Sequence, residues 1–182
     1  MRAGQDLFSR HFADIYRFFE HKVPGDAEDL AQRTFTACVA AREKFRGDAT
    51  FRTYLFAIAR NQLYSHLRAM PRGVHVDFEA TSIADVITSL SSRVGRARQV
   101  EQLRGVLREL PVEQQLLLEL HYWHDLDAPA LAEIFEVPAG TIRVRLLRAR
   151  KALRERLDPA MFEGATDGLV ASLARPDSDA DK

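Results

Sequence analysis

The segment Gly140–Leu157, GTIRVRLLRARKALRERL, constrains the fold of this chain more than any other. Ile142, Leu146, Ala149, Leu153 and Leu157 recur at steps of three and four, so they share a face only if the segment is a helix. Between them stand Arg143, Arg145, Arg148, Arg150, Lys151, Arg154 and Arg156 against a single acid, Glu155. Such a helix must rest on a body through its apolar seam and turn its cations outward. The stretch Glu109–Ile142 just before it has no Lys or Arg, yet it holds Glu109, Glu113, Glu119, Asp125, Asp127, Glu133 and Glu136. The whole chain carries 26 basic and 26 acidic residues, so any pull toward nucleic acid must come from this local asymmetry.

A length of 182 residues suits one medium domain or two small ones, and 29% charged with 46% hydrophobic residues is the balance of a soluble globular protein. No apolar run approaches the length that spans a bilayer, and MRAGQDLFSRHF is not patterned as a signal peptide, so a cytoplasmic protein is expected. The lone Cys38 excludes an internal disulfide and a cysteine-rich zinc site. No cofactor and no metal are expected. His121 and His124 are only three apart with no further ligand nearby, and Trp123 between them reads as core. Cys38 lies on an apolar stripe without a basic neighbour, and no phosphate loop, nucleophile elbow or paired-carboxylate pattern is present, so no enzyme is expected.

The spacing predicts an all-α protein. A first helix over Asp6–Val23 has the face Phe8, Phe12, Ile15, Phe19 and Val23, and Pro24-Gly25 stops it. Asp26 can cap a second helix running to about Lys44, with Leu30, Ala31, Thr34, Cys38 and Ala41 inward. Phe45–Thr50 is a turn, and Phe51–Leu67 a third helix with Tyr54, Leu55, Ile58, Gln62 and Leu63 at helical steps. Residues 71–98 read as a flexible linker: Val74–Phe78 lacks helical period, Gly95 interrupts, and at most a short helix forms near Ile83–Leu90. A second domain opens near Arg98 with Val100, Leu103, Val106, Leu107 and Leu110. It continues as Val112–Trp123, Asp127–Phe135 and Thr141–Leu157. The expected division is therefore 1–70, 71–98, 99–157 and a tail, 158–182. That tail holds a weak apolar patch (Met161, Phe162, Leu169, Val170, Leu173) and an acidic, disordered end.

Three constellations carry function. In the first, Ala130–Phe135, the turn Glu136–Gly140 and the last helix make a helix-turn-helix, with Leu131, Ile134 and Val137 inward and Ala132 small where helices cross. Thr141 is expected to cap the last helix, and Arg143, Arg145, Arg148 and Lys151 to meet guanine edges or phosphates. The plainer reading is a solvated amphipathic face; the unpaired run of cations and the preceding turn favour DNA. In the second, Glu28, Gln32, Phe35 and Val39 form another stripe on the second helix, which reads equally as a docking surface or as Phe35 packed on the first helix. In the third, Phe51, Tyr54, Phe56 and Tyr64 alternate with Arg52, Arg60, Asn61, His66 and Arg68. That pattern can stack unpaired bases and hold phosphates, but taken alone it favours a core helix with a basic edge.

Two blocks together resemble a known family. Asp26-Ala-Glu-Asp-Leu-Ala-Gln-Arg-Thr-Phe35, Phe45-Arg-Gly, Thr53-Tyr-Leu and Ile58-Ala-Arg-Asn61 resemble conserved region 2 of the extracytoplasmic-function (ECF) sigma factors. Leu110-Pro111, Leu131-Ala-Glu-Ile134 and Gly140–Arg150 resemble their region 4, and the two blocks cover most of residues 5–157. The resemblance implies a three-helix region 2 and a four-helix region 4. It implies a cytoplasmic initiation factor that joins core RNA polymerase at the β′ clamp helices and β flap, binds promoter DNA, is commonly restrained by an anti-sigma factor, and does not itself enter a membrane. Asp29, Gln32, Phe35 and Val39 fall on the core-binding face. Phe51, Arg52, Thr53, Arg60, Asn61, Tyr64 and Arg68 fall where the -10 element is opened. Thr141, Arg143, Arg145, Arg148 and Lys151 fall where the -35 element is read. The chain departs from the family pattern at Tyr54, Val144 and Leu147. It also has Ala57 and Ile58 where primary sigma factors carry a melting Trp pair, which implies weaker strand opening. The family's region 3 is absent, and residues 71–98 would replace it. The rival is a helix-turn-helix regulator that never joins polymerase; it would bind a palindrome as a dimer.

Overall fold

The computed structural model describes residues 2–42, 47, 49–70, 78–79, 103 and 105–157, with side chains from Phe8 onward. The expected turn residues Phe45 and Arg46, the linker residues 74–77, the short helix near Ile83–Leu90, the helix start at Arg98 and Val100, and the tail 158–182 with its apolar patch lie outside the described residues.

The regular elements are all helices: α1 (Arg2–Glu20), α2 (Ala27–Ala40), α3 (Phe51–Ala69), α4 (Val112–Tyr122), α5 (Ala128–Phe135) and α6 (Ala139–Arg154). Residues 105–108 are helical as well. They form two helical clusters. Met1–His75 with Ala132–Val137 make one compact unit, and Val76–Leu131 with Pro138–Lys182 the other.

In the first unit α2 packs against both α1 and α3. The α1 helix ends at Glu20, short of the expected Val23; the N–H of Lys22 bonds Phe19 O in a tighter i→i−3 turn, and Val23 N–H shares that carbonyl. Ile15, Phe19 and Val23 are buried as expected, Phe12 is half-buried, and Phe8 is exposed. Phe18, outside the expected stripe, is buried, with its ring 5.1 Å from Phe19 and 5.8 Å from Phe56. Burying one such side chain contributes about 1.5–3 kcal/mol, so Phe56 is a strong determinant of how α3 is rotated. The buried face of α3 includes Leu55, Phe56, Ala59, Leu63 and Leu67, whereas Tyr54, Ile58 and Gln62, which also fall at helical steps, are half-buried. Thr50 caps α3, its hydroxyl accepting from Thr53 N–H at 3.1 Å. The α2 helix stops at Ala40 rather than near Lys44, and the Tyr54 hydroxyl donates to Ala41 O at 3.2 Å, satisfying a carbonyl the helix end leaves open. Asp26 stands at the start of α2 without capping it through its side chain; its carboxylate lies 3.5 Å from His66 Nε2. Leu30, Ala31, Thr34 and Cys38 are buried, and Thr34 is tolerated there because its hydroxyl donates to Leu30 O.

In the second unit α4 is buried on almost every side, from Val112 and Glu113 through Leu120. That burial leaves no room for a long cation within α4 itself, Val112–Tyr122, which is one part of the stretch without Lys or Arg. Leu118 joins Leu103, Leu107, Leu110, Ala149, Leu153 and Leu157 in one core. Phe78, expected in the linker, is buried, and its carbonyl accepts from Glu113 N–H at 3.0 Å. Trp123 is 41% exposed rather than core, because it falls at the end of α4 where the packed faces stop. His121 Nδ1 lies 2.8 Å from Leu126 O, and His124 is buried.

Candidate nucleic-acid interface

The segment from α5 to α6 has a local conformation that its residues dictate. Asp127 Oδ1 accepts from Ala130 N–H at 2.9 Å, fixing the start of α5. Glu136 adopts φ +57°, the left-handed conformation that ends a helix and reverses the chain, and Val137 N–H returns to Ala132 O. Pro138 then stands at the N-cap of α6 with φ −58°. The helix thus begins at Ala139, ahead of the expected Thr141, whose N–H already bonds Pro138 O at 2.9 Å. Thr141 is therefore a first-turn residue and not the cap.

The seam of α6 matches the spacing: Ile142, Leu146, Ala149 and Leu153 are buried, and Leu157 follows them in. The outward residues divide in a way that spacing does not show. Arg143 and Arg148 are exposed and, among the described residues, make no ion pair or hydrogen bond. Lys151 is exposed with only a long contact to Glu155 (4.0 Å). Arg145 is half-buried, and its guanidinium pairs with Glu113 of α4 and, at 3.2 Å, with Glu79. The Glu113 side chain is 11% exposed, so this pair is largely removed from solvent. Val144 and Leu147 stand exposed among the cations, at 48% and 38%.

On α3 the expected set also divides. Thr53 and Tyr64, expected among the -10 contacts, are buried in the first unit. They face inward because α3 is rotated about Phe56. Phe51 is half-buried beside His11, with ring centres 5.5 Å apart. Arg52 lies 3.7 Å from Asp14 of α1 and over the Phe56 ring, and Arg60 lies over the Tyr64 ring. Asn61 and Arg68 are exposed. On α2, Asp29, Gln32 and Val39 form an exposed stripe, with Asp29 paired to Arg33 and Val39 63% exposed. Phe35 is half-buried: its ring lies 4.8 Å from Phe8 and 6.3 Å from Phe12, so it packs on α1 while keeping an open edge.

Two family models match the chain in order, sigma-70 region 2 over residues 7–72 and sigma-70 region 4 over residues 100–153. The chain belongs to the ECF/sigma-70 superfamily of bacterial RNA polymerase sigma factors. It is 29% identical over 164 residues to the RNA polymerase sigma-H factor of Pseudomonas aeruginosa, covering 80% of this chain and 85% of that one. To the ECF RNA polymerase sigma-E factor of Escherichia coli K12 it is 28% identical over 164 residues, covering 78% and 83%. A solved structure, the sigma factor RpoE in complex with the anti-sigma factor NepR from Bartonella quintana, shares the fold. The TM-score is 0.66 at 21% identity, over 85% of this chain and 96% of that one. Sigma factors are non-catalytic transcription initiation factors, and that is the class of this protein. Burial pushes the Cys38 thiol up, away from the reactive thiolate. Among the described residues no helix is long and apolar enough to cross a membrane.

The engagement of Arg145 was the feature spacing could not reveal, because Glu113 lies 32 residues away and Glu79 lies 66 away. Lys22 differs from Arg145, since its partner Phe18 is only four residues away. It is buried, with Nζ donating to Phe18 O and lying over the Phe18 ring, at the end of α1 where a cation suits open carbonyls.

Proposed function

We propose that this sigma factor joins core RNA polymerase in the cytoplasm through α2 and directs it to bipartite promoters. In this reading α3 opens the -10 element and α6 reads the -35 element. Residues 1–70 act as region 2, 71–98 as the connecting segment and 99–157 as region 4. The observation that carries it is α6 itself: a fully buried apolar seam, with Arg143, Arg148 and Lys151 exposed on a helix-turn-helix that the region 4 model covers. On α2 the stripe of Asp29, Gln32, Phe35 and Val39 suits the β′ clamp helices, since it joins one acid and one amide to apolar surface that nothing in its own helix covers. On α3 the burial of Thr53 and Tyr64 leaves Phe51, Arg52, Arg60, Asn61 and Arg68 as the groups for the -10 strand. An anti-sigma factor is the further partner, as the Bartonella sigma factor is solved with one.

The test is co-purification with core polymerase followed by run-off transcription. A stable 1:1 complex and initiation from an asymmetric bipartite site are expected. Binding to a palindrome as a dimer, without core enzyme, would replace this reading with that of a DNA-binding regulator. Arg143→Ala with Arg148→Ala should weaken binding to a -35 duplex by about tenfold or more and reduce its salt dependence, with core binding unchanged. Loss of core binding in that variant would overturn the division of labour between α2 and α6.

A further inference from the structure

We propose that Val144 and Leu147 read thymine methyl groups, so that the duplex bound by α6 is selected for thymine at two neighbouring base pairs. The inference rests on the -35 reading above and names what that helix recognises. Gly140, Thr141, Val144, Leu147, Arg148 and Lys151 fall within one stripe at helical spacing, opposite the buried seam of Ile142, Leu146, Ala149 and Leu153. At the middle of the stripe are two aliphatic side chains, 48% and 38% exposed. The exposed cations of the same helix, Arg143, Arg148 and Lys151, flank them. Arg145, which would otherwise compete for this role, is held to the side by Glu113 and Glu79.

The charge around the pair decides the occupant. A protein partner would have to cover three cations together with the aliphatic pair, whereas a DNA major groove offers phosphates for the cations and one apolar group for Val and Leu. That group is the C5 methyl of thymine, the one methyl group that an unmodified base presents there. The geometry fits adjacent base pairs. Val144 and Leu147 are three residues apart, about 4.5 Å of helical rise. A base-pair step is about 3.4 Å. Val144 is the sixth and Leu147 the ninth of the 16 residues of α6, one to two turns beyond the N-terminal residues that approach the base edges in a recognition helix. Arg148, next to Leu147, is then placed for a guanine edge or phosphate beside the thymines.

Deoxyuridine isolates the methyl group, since it keeps every hydrogen-bonding group of thymine. The full chain, bound to core polymerase, is used to select tight binders from a pool of randomised duplexes. Each thymine of the selected -35 sequence is then replaced in turn by deoxyuridine and affinity is measured by competition. Replacement at the two read positions is expected to weaken binding by about fourfold each, the effect of one buried methyl. Val144→Ser and Leu147→Ser, both exposed positions, should each bring the thymine-to-uracil ratio at one position to about one; circular dichroism melting confirms that the variants remain folded. Equal binding of thymine and deoxyuridine duplexes by the wild-type chain would overturn this inference while leaving the -35 reading in place. Failure of the selection to enrich any duplex would instead overturn the -35 reading on which it rests.

Discussion

At the scale of single residues, the side chains that matter most are those whose surroundings change their chemistry. His11 is held below its ordinary value of 6.5, first by burial; Arg10 and Arg52 add to the effect and Asp14 opposes it. A group whose folded value is depressed adds stability above its unfolded value and loses it as pH falls through the folded one. The melting temperature of wild type should therefore fall more steeply than that of His11→Gln between about pH 7 and about pH 5. Parallel curves would assign the acid sensitivity to another group. Lys22 is held by a near neighbour in the sequence: the carbonyl and ring of Phe18, four residues earlier, take up its ammonium, and packing of the first unit buries both residues.

At the scale of elements, two helices behave differently although both read clearly as helices. For α6 the apolar period identified the buried face residue for residue, because one continuous seam packs on one body. For α3 it did not: apolar residues fall on more than one side, and contacts such as that of Phe18 with Phe56 favour the face that holds Phe56. Helix α4 is linked to α6 through Arg145 and Glu113. Arg145→Ala should lower stability by about 1–3 kcal/mol in urea denaturation, since it strands a carboxylate that is largely out of water. Glu79→Gln should cost less than about 0.5 kcal/mol, because that side chain is 66% exposed and the pair is screened. Equal losses in the two variants would mean that Arg145 depends on the linker residue as much as on α4.

At the scale of the whole molecule, the function proposed above requires the chain to place two DNA-binding surfaces, α3 and α6, on one polymerase. The resemblance implies that Ala57 and Ile58 stand where primary sigma factors carry melting aromatics; both are half-buried, and neither offers a ring to an unpaired base. Run-off transcription from a promoter premelted across the -10 element should therefore exceed that from the matched duplex by several-fold. No gain on premelting would show that strand opening is not what limits this factor.

Helical identity, the turn between α5 and α6, and the concentration of cations on α6 were all determined by the sequence alone. Each depends on residues within a few positions of one another, and a period or a proline acts locally. The resemblance in two ordered blocks was equally legible, and with it the family. The tertiary structure decided which cations are committed and which are open: Arg145 is held by carboxylates 32 and 66 residues away, while Arg143 and Arg148 face outward. It also decided that Thr53 and Tyr64 are core and that Trp123 is surface. Burial is a property of neighbours brought together by folding, and those neighbours are distant in the chain.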